Sequence, residues 1–173
     1  MGYIGETTQT PQNIKLAYAR AQGADVLYGG YLIEIDELED SFENRQVYKA
    51  EKPAEDTVFY GIVLNGGYET LADGRRPEGQ PNFLEYGFTS DIPCVVLRPE
   101  KAQTLRIGVN AINETVNVGD FLVPTAGQYK WTVQSSMPAT GLALKVEKIS
   151  EVGIGGMFGM QTEKVAEVIV ARD

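Results

Sequence analysis

The stretch Val116 to Leu144, VNVGDFLVPTAGQYKWTVQSSMPATGLAL, constrains this chain more than any other. Phe121 and Val123 alternate with Leu122, and Tyr129, Trp131 and Val133 put a large apolar side chain at every second position. That is the period of a strand with one buried face. Turn-forming residues interrupt the pattern at strand-length intervals: Gly119-Asp120 ahead of it, Pro124 to Gly127 inside it, then Ser135, Ser136 and Pro138. The expectation is a meander of three short strands, VGDFLVP, QYKWTVQ and TGLALKV.

A similar arrangement stands near the front. Tyr28-Gly29-Gly30-Tyr31-Leu32 matches Val118-Gly119-Asp120-Phe121-Leu122, Val47 to Ala50 matches Gln128 to Trp131, and Tyr60 to Leu64 matches Thr140 to Leu144. Gly29 to Gly61 spans 32 residues against 22 from Gly119 to Gly141, and the acidic run Glu34 to Glu43 supplies the difference. The fold class expected is all-β: an antiparallel β-barrel or β-tulip-like domain built from two related meanders, with at most one short helix. Abundant Val, Ile and Thr, with 19 Gly, 8 Pro and 9 Tyr, agree with strands and turns.

At 173 residues the chain suits a β domain over 25–173, with candidate lobes 25–109 and 110–173, behind an N-terminal arm over 1–24. Within the arm, Thr10 is placed to cap a short helix with Pro11 at its first position, and Ile14, Ala17, Tyr18 and Ala21 fall at helical spacing before Gly23. The acidic run lacks the Asp-x-Asp-x-Asp-Gly order of a calcium loop and reads as a solvated hairpin extension. Glycines and prolines from Gly66 to Pro81 mark a long loop, and Gly153 to Met160 marks a second.

The balance of 24 acidic against 15 basic residues repels nucleic acid and anionic membrane, so neither is an expected partner. No apolar run reaches the ~18 residues of a membrane span, and the start lacks the basic and apolar regions of a signal peptide. With no histidine and one cysteine, serine–histidine and cysteine–histidine catalysis and histidine- or cysteine-only zinc sites are excluded. Cys94, inside IPCVVL, reads as a small buried hydrophobe. No carboxylate pair stands at a spacing that marks acid–base work, and Gly153-x-Gly155-x-x-x-Gly159 lacks the Lys-Ser or Lys-Thr of a phosphate loop. No enzyme activity, cofactor or metal is expected. Ile154, Met157, Phe158 and Met160 on that glycine-rich segment, with Tyr3 and Ile4 in the arm, are apolar groups costly to leave in water and are the candidate partner contacts.

Val118-Gly119-Asp120-Phe121-Leu122, the Lys130-bearing strand, Gly141-Leu142-Ala143-Leu144 and the Val-rich C-terminal strand together resemble capsid decoration (cement) proteins of tailed bacteriophages. The resemblance implies a small β domain on the outer surface of the virion that clamps neighbouring major capsid protein subunits, as a homotrimer with an extended N-terminal arm. It covers Val116 to Val170 best; the acidic run and the loop at 65–82 have no counterpart in it. The other function weighed is a carbohydrate- or ligand-binding β-module of a phage fibre or tail, for which Tyr68, Tyr86 and Trp131 would line an open cleft.

Overall fold

The computed structural model describes residues 5–7, 15–35, 37–42, 45–64, 87–156 and 159–172. The chain folds as an all-β, barrel-like domain with one sheet curled into a half barrel and a second sheet beside it. The first sheet has the order β1-β8-β12-β11-β9-β10 and the second β3-β6-β7-β2-β5-β4. In chain order these are β1 (Gly5–Thr7), β2 (Lys15–Ala21), β3 (Leu32–Glu34), β4 (Leu38–Phe42), β5 (Arg45–Ala50), β6 (Tyr60–Val63), β7 (Cys94–Arg98), β8 (Thr104–Gly108), β9 (Phe121–Val123), β10 (Thr132–Gln134), β11 (Ala143–Gly156) and β12 (Gly159–Arg172).

Both sheets share one core. Ile33, Ile62, Val63, Val96 and Leu97 from the second sheet pack in the same cluster as Leu105, Ile107, Leu122, Leu144, Val146 and Val168 from the first. Trp131 sits at the junction, fully buried, and its indole Nε1–H donates to the Gly30 carbonyl oxygen at 2.8 Å. Main-chain bonds add to this join: Leu32 N donates to Tyr129 O at 2.9 Å and Gly127 N to Pro53 O at 2.8 Å. The Tyr31 and Tyr129 rings stack 5.7 Å apart. The Tyr129 hydroxyl donates to Asp25 Oδ2 at 2.7 Å, and burial together with that carboxylate pushes its pKa up.

Where a short helix was expected, Lys15–Ala21 is a strand, central in the second sheet and paired with β7 antiparallel and β5 parallel. The alanines satisfy both periods, since Ala17 and Ala21 fit a helical face while Ala17, Ala19 and Ala21 fit one face of a strand. The strand wins because Ala19 and Ala21 both reach the core and the backbone gains a neighbour on each side. The parallel β2–β5 pairing is also a departure from the expected antiparallel sheet. Gly5–Thr7, assigned by sequence to the arm, pairs with β8.

The rear segment forms the three strands expected of it, but β9 lies between β10 and β11, so the order is not that of a meander. In the front segment β3 pairs with β6 while β5 pairs with β2 and β4. β3 also bridges Glu51, just past β5, through Glu34, so the first strand of each matched segment has antiparallel contact with the other two, by a single bridge in front and by a ladder behind. β8 joins the rear strands, so the residue-109 lobe boundary does not separate the two sheets.

The acidic run forms β4 and the hairpin with β5, as an extension at the sheet edge. Its carboxylates are tied down more than expected. Arg20 clasps Glu39 with both ends of its guanidinium, at 2.7 and 2.5 Å, and holds that carboxyl below its ordinary range. Lys49 does the same for Glu37, and Glu34 accepts from Thr57 Oγ1 at 2.6 Å.

Cys94 is buried, as expected, with Sγ donating to Ala19 O at 3.3 Å, and burial pushes its pKa up to about 12. At pH 8 the thiolate is then only about one part in ten thousand. The native protein is expected to resist a thiol-specific reagent at that pH and to react in proportion to the unfolded fraction as urea is added. Full labelling of the native protein within minutes would contradict the burial.

Candidate functional site

The longest element is the β11–β12 hairpin, whose register runs without interruption from Ser150↔Val165 to Gly156↔Gly159. At its base Leu144, Val146, Val168 and Val170 are buried in the core. Neighbouring strands cover only that base: β9 pairs with β11 at Leu144 and Lys145, and β8 pairs with β12 from Val165 to Ile169. Beyond it, Glu151–Gly156 and Gly159–Lys164 pair only with each other among the described residues. At ~3.3 Å per residue this two-stranded ribbon extends roughly 20 Å past the sheet.

Alternation explains why these residues remain strand. Val152 and Ile154 alternate with Gly153 and Gly155 on one side, and Thr162 and Lys164 with Gln161 and Glu163 on the other. Glu151 stands opposite Lys164 and Lys148 opposite Glu167, cross-strand positions where opposite charges favour the pairing. At the base, Ser150 Oγ donates to Glu167 Oε1 at 2.9 Å and Arg106 Nε lies 3.7 Å from the same oxygen. A register shift between Val146 and Lys148 leaves Glu147 as a bulge, a feature that increases local twist where the ribbon leaves the sheet.

The expected loop at Gly153 to Met160 is thus strand on both sides of residues 157–158. Ile154 occupies β11 opposite Gln161, and Met160 occupies β12 opposite Gly155. Met157, Phe158, Tyr3 and Ile4 lie outside the described residues, as does the loop at 65–82. The sequence reading missed the reach of the ribbon; the Val152/Ile154 against Gly153/Gly155 alternation was the available signal, and the density of glycine obscured it.

Chemically the ribbon offers backbone donors and acceptors along two edges that no other described strand takes up, with Glu151, Lys164 and Thr162 exposed. That arrangement suits strand addition or clamping. Among the described residues no group of three or more His, Cys, Asp or Glu is placed to hold a metal ion. No helix among them is long and apolar enough to cross a membrane. Trp131, which its register with Tyr129 and Val133 places in the core and only the alternative reading in an open cleft, is wholly buried, and Tyr68 and Tyr86 lie outside the described residues. Comparison with protein-family models, curated proteins and solved structures finds no match to this chain.

Proposed function

We propose that this protein acts by binding, attaching itself to a larger protein assembly through the β11–β12 ribbon. The observation that carries this reading is the ribbon itself, a strand pair that leaves a packed sheet with no further strand on its edges among the described residues. A two-stranded ribbon is marginal in water by itself, and a partner strand or surface would satisfy its backbone groups and cover its apolar residues. The assembly proposed is the outside of a tailed-phage head, with the chain as a decoration protein that bridges major capsid protein subunits as a homotrimer. Support for that step is the sequence resemblance, the net charge of −9, which suits the outer face of a DNA-filled shell, and the rigid barrel-like body that would hold a clamp in place.

The test is occupancy of purified, undecorated phage heads, read by cryo-electron microscopy and by sedimentation. The parent protein is expected to bind at symmetry-related sites on the outer surface. Met157→Lys with Phe158→Lys at the ribbon's end is expected to weaken binding at least about 30-fold, the scale of one central apolar anchor. Heads that remain bare with the parent, or that fill equally with the double variant, would rule the reading out.

A further inference from the structure

A second feature lies away from the ribbon, where the ends of β6 and β7 meet the segment leading into β11. Val58, Phe59, Tyr60, Arg98, Pro99, Glu100 and Leu142 line an open cleft of about 430 Å³. Two large apolar side chains stand exposed in its wall, Val58 at 74% and Phe59 at 46%. The Arg98 guanidinium carbon stands 5.3 Å from the centre of the Phe59 ring, a cation–π arrangement that fixes the side chain in place. No carboxylate among the described residues pairs with Arg98, in contrast to Arg20 and Lys49, which are each matched to a glutamate.

We infer that this cleft binds an extended acidic segment of a partner protein, with one carboxylate on Arg98 and a neighbouring apolar side chain laid over Val58 and Phe59. A guanidinium beside a ring keeps a pair of parallel N–H donors to present, the geometry a carboxylate accepts in two-point fashion. Its partner is the missing half of a complementary pair. Glu100 in the same wall raises the energy of a multiply charged phosphate more than that of a single carboxylate, which narrows the class of anion. Val58 and Phe59 in that wall leave more apolar surface exposed than a small free anion would cover, and this points to a chain segment. Arg and aromatic residues side by side are also the composition of an interface anchor. The inference does not depend on the ribbon or on the identity of the larger assembly.

The experiment is selection of a random heptapeptide library on the full chain, followed by titration of the best peptide by fluorescence anisotropy. Enriched peptides are expected to carry Asp or Glu next to an apolar residue. Changing that acid to its amide in the peptide, with the protein untouched, is expected to weaken binding at least about tenfold, and Arg98→Gln to do the same in a protein of unchanged Tm. No enrichment, enrichment without acids, or equal binding of the amide peptide would overturn the proposal. Hexanoate binding as tightly as the best peptide would overturn the choice of a chain segment. Concentration-dependent dimerisation abolished by Arg98→Gln would also overturn it, because a second copy would then be the occupant.

Discussion

Trp131→Ala is expected to lower stability by about 3–5 kcal/mol, the largest loss available from one side chain in this fold. Trp131 is the only tryptophan, fully buried, and it belongs to the core cluster that both sheets share. Its main chain is committed as well: the Trp131 N–H donates to Ala111 O and its carbonyl accepts from Asn113 N, each at 2.9 Å. Truncation would remove ring packing from both sheets and strip the Gly30 carbonyl of its indole donor at 2.8 Å. The loss amounts to a large fraction of the ~5–15 kcal/mol that holds a typical domain folded, and corresponds to a Tm lower by about 10 °C. Trp131→Phe separates the two contributions. It restores much of the packing but not the donor, so the Gly30 carbonyl stays buried without it, at a cost of about 1–3 kcal/mol. Urea unfolding followed by far-ultraviolet circular dichroism measures both variants without relying on the lost fluorophore. A loss below about 1 kcal/mol for the alanine variant would contradict the place given to Trp131 at the junction.

That junction shows why some of this fold was readable from sequence and some was not. Tyr129, Trp131 and Val133 follow a strict period of two between clear turns, so local pattern and burial agree, and Trp131 was expected in the core ahead of any alternative. β2 was misread because LAYARA satisfies two periods at once; only its neighbours β5 and β7, far away in the chain, decide between them. The pairing order has the same non-local origin. Short strands such as Phe121–Val123 do not carry in their residues which edge the next strand will take, and β9 accordingly accepts one partner on each side. The candidate contacts were chosen for apolar side chains on glycine-rich backbone, and that glycine content hid the strand pattern of the segment around Ile154 and Met160. Arg98 and Phe59 were missed altogether, since they are 39 positions apart and only the juxtaposition of β7 with the approach to β6 gives them a common meaning.

Gly5→Ala is expected to be the most damaging small substitution, and by a route invisible in the chain's first ten residues. A Cβ at Gly5 would stand 2.1 Å from the Val63 carbonyl oxygen and 2.4 Å from the Gly30 amide nitrogen. Those two atoms are themselves bonded, Gly30 N to Val63 O at 2.8 Å, so neither is the loose end of a side chain that swings away. Something in the backbone has to move. β1 is three residues long and, among the described residues, its strand partner is β8, through Gly5↔Ile107 to Thr7↔Leu105, whereas Gly30 is held by the Trp131 indole and by Val63. The weaker partner gives way: β1 should lift from β8, at a cost of about 1–3 kcal/mol for an overpacked site. Gly23→Ala makes the control, because a Cβ there meets nothing within 4 Å while the backbone sits at φ +60°. Its cost is purely that of a left-handed residue, about 1 kcal/mol, and leaves β1 in place. Hydrogen exchange distinguishes the two variants. Amides of β8 are expected to exchange faster in Gly5→Ala, with those of β11 at Leu144 and Val146 unchanged, and no such local loosening is expected in Gly23→Ala. If Gly5→Ala is as stable as the parent and β8 exchanges at the parent's rate, the first strand does not pack on the Gly30 turn, and the seam between the sheets at that end is open.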